Sequence, residues 1–222
     1  MKTPIKIGIL VLTLVVPVLV YIFLKTFGEN HYSLPTYFPA DIVEREQNGK
    51  IIYDTTFHQI PDFKVVDQYS RTLTGASFAN KILVVNFFFT RCPGICPKMS
   101  SQLSRVQESF IRDSTVQILS FTVDPEYDQP DILKKYADKF NAKENKWFLA
   151  TTNSKIDVFN IGFYGFKVPS DTVDKFLHSE KILLVDKQKH IRGFYNGTNK
   201  KEVDRLITEI DILNYAYDHD RK

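Results

Sequence analysis

Cysteine is almost missing from this chain: there are two in 222 residues, at positions 92 and 96. So close a pair cannot staple a small fold, and a disulfide scaffold is excluded. An excess of one charge is missing too. The net charge is +3, from 29 Lys and Arg against 26 Asp and Glu. No basic stripe interleaved with aromatics appears, so nucleic-acid binding has little support. There is no internal repeat, no low-complexity tract, and no nucleophile, base and orienter set for hydrolysis. Apolar residues are plentiful. They make up 43% of the chain, with 14% aromatic, enough for one well-buried domain, whereas two full-sized ones would be crowded.

The one long apolar run is Ile7 to Leu24, relieved only by Gly8, Thr13 and Pro17. As a helix rising 1.5 Å per residue it spans roughly 27 Å, close to a bilayer core. Lys2 and Lys6 precede it and only Lys25 follows closely. The positive-inside rule then puts the short N-terminus in the cytoplasm and the remainder outside. The alternative, a cleaved signal peptide, wants a shorter apolar region and an A-x-A-like exit. Phe23-Leu-Lys-Thr-Phe-Gly-Glu offers no such site, so residues 1–27 read as an uncleaved transmembrane signal anchor. No cysteine follows the run, which excludes lipid attachment there. Residues 28–50, with Pro35, Pro39, Asn48 and Gly49, read as a polar linker in which His31 is solvated. The folded domain is 51–217 and a charged tail is 218–222.

Within the domain, alternation around Phe63, Val65 and Asp67 predicts a β-hairpin ahead of the main sheet. Residues 82–90 are apolar on both faces, the pattern of a central strand covered by helices on both sides. Val116 to Val123 predicts a second buried strand. It ends in Asp124-Pro-Glu-Tyr-Asp128-Gln-Pro130, which is turn and cap chemistry for a helix over 130–140. Trp147 opens a third strand, 155–163 is a short helix, and 169–175 a polar loop. Residues 181–186 and 190–195 predict an antiparallel hairpin around Lys187, Gln188 and Lys189, and 200–215 a closing amphipathic helix. The order β-α-β-α-β-α-β-β-α, with cysteines after an early strand, predicts a thioredoxin-like α/β fold: a central mixed sheet flanked by helices.

The cysteines stand in Phe89-Thr-Arg-Cys92-Pro-Gly-Ile-Cys96-Pro-Lys-Met99, where the central strand runs out. Met99, Leu103, Val106 and Phe110 fall on one face of a following helix, and Pro97 suits its first turn. Cys96 then lies at the helix start and Cys92 in the loop before it. Free N–H groups and the helix dipole favour thiolate there. Arg91 and Lys98 push the same way, so both sulfurs read as easily deprotonated. Such a pair makes a reversible disulfide or binds a thiophilic metal, while a purely structural disulfide over so short a loop stabilises little.

A third group separates the metal reading from the redox one. His178 stands just before the strand 181–186. In the predicted sheet that strand lies beside the central one, so Cys92, Cys96 and His178 converge. Two thiolates and an imidazole suit Cu(I) and tolerate Cu(II), whereas zinc usually wants a fourth ligand.

These segments resemble a known family. Residues 89–99 look like the T-x-C-P-x-x-C-P signature of the SCO/SenC copper proteins. Thr122-Val-Asp124-Pro-Glu-Tyr-Asp128-Gln-Pro130 is similar to the family's V-D-P-x-x-D-x-P segment. His178-Ser179 before Ile182-Leu-Leu-Val-Asp186 matches its single ligand histidine, and Ile60-Pro-Asp-Phe63 resembles the opening of its domain. The three motifs occur in the right order, and the resemblance runs over roughly residues 55–215. One departure is Leu177, where the family often has Asp; it bears on a partner of the histidine and not on the ligand.

The resemblance implies a copper metallochaperone for cytochrome c oxidase assembly. Such a protein takes copper from a donor protein and delivers it to the Cu(A) centre of oxidase subunit II, or keeps that subunit's cysteines reduced. It carries over Cys92, Cys96 and His178 as copper ligands, and Asp124 and Asp128 as residues near the site. For Asp128, capping of the helix at residue 130 is the plain alternative. With the anchor, this describes a single-pass protein of the bacterial inner membrane whose soluble domain faces the periplasm. The rival reading is a thiol–disulfide oxidoreductase without obligatory metal, with Cys92 as nucleophile and Cys96 as resolving thiol. Asn196-Gly197-Thr198 reads as a hairpin-end turn, and His190 and His219 as solvated.

Overall fold

The computed structural model describes residues 3–27, 33–47, 50–168 and 179–219. The chain divides into two units, Met1–Ser33 and Leu34–Lys222. In the first, the apolar run forms helix α1 (Thr3–Phe27), with Pro17 inside it. Side chains from Leu10 to Phe23 are exposed. Among the described residues no helix is long and apolar enough to cross a membrane.

In chain order the second unit is β1 (Pro39–Gln47), β2 (Lys50–Phe57), β3 (Lys64–Asp67), β4 (Thr72–Thr74), β5 (Ile82–Phe88), α2 (Ile95–Ser109), β6 (Val116–Thr122), α3 (Pro130–Lys139), β7 (Trp147–Thr151), α4 (Lys155–Asn160), β8 (Lys181–Val185), β9 (Ile191–Asn196) and α5 (Lys200–His219). Seven strands make one sheet in the order β4-β3-β7-β6-β5-β8-β9. The inner three are parallel, with Val85 beside Leu119 and Leu119 beside Phe148. β8 pairs antiparallel with β5, Asn86 facing Ile182, and β3 antiparallel with β7. This is the expected α/β architecture with a central mixed sheet flanked by helices.

Every residue of β5 and of β6 is buried, because alternate side chains of a doubly covered strand enter two different cores. Ile82, Val84, Phe88, Ile118 and Leu184 meet α2, α3 and α5 through Leu103, Val106, Leu133, Val203 and Leu206. Leu83, Val85, Phe87, Leu119 and Phe121 face the other side. There the cover is mainly aromatic rather than helical. The Phe121 ring lies 5.6 Å from Phe63, 5.3 Å from Phe87 and 5.4 Å from Phe166. Short α4 and a 3₁₀ turn, Gly75–Phe78, complete that layer through Val158 and Phe78.

Two local expectations change. The hairpin around residues 63–67 does not precede the sheet: β3 pairs with both β4 and β7 and forms part of its edge. Within the stretch read as linker, residues 39–47 are extended and pair with β2 in a separate two-stranded sheet. The two runs flank Asn48-Gly49 in the sequence, a strong hairpin signal. The polar loop 169–175 and His31 lie outside the described residues.

Candidate metal and thiol site

β5 ends in the core, and the chain turns sharply: the Cys92 N–H donates to the Phe89 carbonyl at 3.3 Å. Gly94 precedes the first turn of α2, which begins at Ile95 and puts Cys96 and Pro97 where the spacing predicts. No conventional side-chain cap closes that turn. A sulfur takes part of the role, because the Cys96 N–H donates to Cys92 Sγ at 3.4 Å. Both thiols are free.

The two sulfurs differ in environment. Cys92 is half-buried at the rim, while Cys96 is 4% exposed and shares a buried cluster with Phe88 and Tyr136. Burial pushes the Cys96 thiol up to about 12. At Cys92 burial also opposes the charge, but the N–H groups of Cys96, Gly94 and Ile95 and the Cys96 thiol outweigh it, and its pKa lies below the ordinary thiol value. The expectation that both sulfurs are easily deprotonated therefore holds for Cys92 and fails for Cys96. A helix end offers about half an elementary charge, and desolvation at Cys96 exceeds that help.

Arg91 does not act on the sulfurs as expected. Its guanidinium pairs with Asp124 at 2.5 Å and lies 4.1 Å over the Tyr127 ring. Lys155 also approaches Asp124, at 3.9 Å. Asp124 thus neutralises the cation beside the loop.

Asp128 has a role that spacing did not reveal. Its carboxylate is fully buried and accepts hydrogen bonds from the Thr90 N–H at 3.0 Å, the Thr90 hydroxyl and the Thr122 hydroxyl. It joins the ends of β5 and β6 and fixes the entry to the cysteine loop. Helix capping is not its function: the residue before α3 is Gln129, with no side-chain cap. Threonines near two parallel strand ends plus an acid in the next loop are the only trace in the sequence, and only the sheet brings them together. Tyr136 also supports the loop, which helical spacing alone does not signal. Its hydroxyl meets the Ser100 hydroxyl at 3.0 Å behind the loop, and its ring lies 5.1 Å from Phe88.

His178 and the neighbouring Leu177 lie outside the described residues. Among the described residues no three His, Cys, Asp or Glu side chains gather to hold a metal. The strand after His178, β8, runs antiparallel to β5, so it starts at the cysteine end of β5.

The SCO1/SenC family model matches residues 53–212. The chain belongs to the SCO1/SenC family. The SCO1 protein homolog of Bacillus subtilis is 26% identical over 166 residues, covering 73% of this chain and 86% of the relative. Among solved structures, BsSco, a member of the Sco family of cytochrome c oxidase assembly proteins in which a disulfide switch was identified, aligns with a TM-score of 0.61. It shows 24% identity over 70% of this chain and 92% of its own. Yeast Sco1 with copper bound aligns with a TM-score of 0.54 and 23% identity over 69% of this chain and 92% of its own. At these identities the structural likeness is one of fold.

The remaining polar candidates of this SCO1/SenC domain serve the fold. His190 is half-buried rather than solvated: its N–H donates to Asp186 at 2.9 Å, and its ring nitrogen lies 3.8 Å from the same carboxylate. His219 is exposed and stacks on Tyr215 at 3.9 Å. Asn196 accepts from the Thr198 N–H at 2.9 Å and hydroxyl at 2.7 Å, the turn read from the sequence.

Proposed function

We propose that this SCO1/SenC protein is a membrane-anchored copper metallochaperone. It receives copper from a donor protein and passes it to the Cu(A) centre of cytochrome c oxidase subunit II. Cys92, Cys96 and His178 hold the cargo. The observation that carries the reading is the sulfur pair: two free thiols at the end of the central strand, linked by a 3.4 Å N–H···S contact, with Cys92 half open to solvent and Cys96 buried. Soft donors of this kind fit copper better than hard cations. The copper on yeast Sco1 supports the cargo, and the oxidase assembly role of BsSco supports the destination. The antiparallel start of β8 supports His178 as third ligand, since that residue precedes the strand by only a few positions.

The chain's own part in transfer follows from the asymmetry of the thiols. Cys92, at the rim and of lowered pKa, meets the incoming ion first. Cys96 surrenders its proton only when a soft cation replaces it, so loading releases protons and strengthens with pH. The half-open side at Cys92 leaves room for an acceptor thiolate to replace one ligand at a time. The apolar run Ile7 to Leu24 lies within α1 (Thr3–Phe27), and we read it as a single-pass anchor in a bacterial inner membrane with the domain in the periplasm.

The same asymmetry favours a second reading, reduction of a partner disulfide. The Cys92 thiolate attacks one sulfur of that disulfide and forms a mixed disulfide, releasing the other as thiolate. Cys96 gives its proton to the partner thiolate already released and attacks Cys92 Sγ. The partner's second thiolate leaves, and a Cys92–Cys96 disulfide remains.

Copper titration of the reduced full chain tests both. Cys92→Ser, Cys96→Ser and His178→Ala are each expected to lose stoichiometric copper; if all three load like the parent, the site assignment fails. A His178→Ala variant that loses copper yet still reduces an oxidised Cu(A) domain at the parental rate makes reduction the second activity of the same thiols.

A further inference from the structure

β1 and β2 form a ribbon separate from the seven-stranded sheet, and a two-stranded ribbon is marginal on its own. Each of its strands leaves one edge unpaired among the described residues. The two edges are not equivalent. β1 starts at Pro39 with a register irregularity between Pro39 and Asp41, and carries Glu44, Arg45 and Glu46 in succession. Proline, bulges and charge all discourage strand addition. β2 is less guarded, its two charges Lys50 and Asp54 standing apart with three apolar residues between them. From Ile51 to Phe57 it contains no proline, and Ile51, Ile52 and Tyr53 are 63%, 41% and 69% exposed.

We propose that β2 pairs antiparallel with β2 of a second copy of this chain, about a two-fold axis through Ile52, joining the ribbons into one four-stranded sheet. Directly opposed residues of an antiparallel pair share a face, so a two-fold register must set one residue opposite its own equivalent. With Ile52 at the centre, Ile51 falls opposite Tyr53 of the other copy on one face. On the other face Ile52 falls opposite Ile52, and Lys50 opposite Asp54. Apolar residues meet apolar ones, opposite charges meet, and the axis makes each off-centre pair twice. Moving the centre to Ile51 or Tyr53 sets Ile52 against Lys50 or against Asp54. On β1, centring at Val43 sets Ile42 against Glu44, and centring at Glu44 sets that acid against itself. Among these, only the Ile52 register sets apolar residues against apolar ones and opposite charges against each other. The proposal is independent of what the thiols bind.

The full chain, solubilised in detergent, is expected to sediment as a dimer. In a Cys92→Ser/Cys96→Ser background, Ile52→Cys should form a disulfide-linked dimer under mild oxidation. Opposed Cα atoms lie about 4.5–5.5 Å apart, within disulfide range. Thr55→Cys should not cross-link, since its equivalent lies about 20 Å along the paired strand. Asp54→Lys should weaken dimerisation about tenfold, because two opposite-charge pairs become like-charge pairs. Lys50→Asp added to Asp54→Lys should restore it. A monomeric parent overturns the proposal, as does a dimer in which Ile52→Cys fails to cross-link or Asp54→Lys leaves association unchanged.

Discussion

Replacing Asp128 tests how the cysteine loop is held. The carboxylate is fully buried and accepts three hydrogen bonds, from the Thr90 N–H and from the hydroxyls of Thr90 and Thr122. Asp128→Ala removes the acceptor for all three donors. A buried donor left without a partner costs about 1–3 kcal/mol. The full sum does not apply here. Thr122 keeps a second contact, accepting from the Asp124 N–H at 3.1 Å, and Thr90 is half-buried and can turn to water. We expect a loss of about 3 kcal/mol in urea unfolding, with the slope unchanged. Asp128→Asn keeps the volume and one acceptor oxygen, and its amide can donate to a threonine oxygen; about 1 kcal/mol is expected. Hydrogen exchange adds a local readout: the Thr90 amide should exchange faster in Asp128→Ala, while the first turn of α3 should not change. Accelerated exchange confined to that first turn, or a stability loss below about 0.5 kcal/mol, would refute the clip and restore the capping role.

Three further outcomes follow from the same geometry. Iodoacetamide near neutral pH should label Cys92 well before Cys96, since burial holds Cys96 protonated up to about 12 while N–H donors lower Cys92; peptide mapping showing equal labelling would contradict the assigned asymmetry. Lys146 is buried, with Nζ donating to the Asp113 carbonyl at 2.6 Å, and burial lowers its pKa from 10.5 to about 8. Between those values the unfolded chain binds more protons than the folded one, so this lysine makes stability rise with pH across that window. Lys146→Met should flatten the rise, and parallel denaturation profiles for parent and variant would count against it. A Cβ at Gly197 would come within 2.9 Å of the Ile182 side chain and 3.0 Å of Met99; Gly197→Ala is expected to cost about 1–2 kcal/mol by overpacking, visible as a lower urea midpoint.

Much of this protein is legible in its sequence because covalent neighbours carry the information. The run at 82–88, apolar on both faces but for Asn86, is the pattern of a doubly covered strand, and all seven of its residues are buried. Met99, Leu103 and Val106, spaced for one helical face, have no exposed surface. Proline and glycine around two cysteines set the turn and the helix start, and three motifs in order carry the family resemblance. What sequence spacing cannot supply is the environment that distant segments create. The sheet brings Thr90, Thr122 and Asp128 together, and turns an apparent cap into a clip. The packing of Phe88 and Tyr136 around Cys96 removes the solvation that a helix-start thiolate needs, so desolvation prevails over the dipole at one sulfur and not at the other. Arg91 looks like a cation beside the thiols until the fold brings Asp124 against it. A pattern along the chain records local periodicity, whereas charge, burial and hydrogen-bond partners depend on which strands lie side by side, and only the tertiary structure decides that.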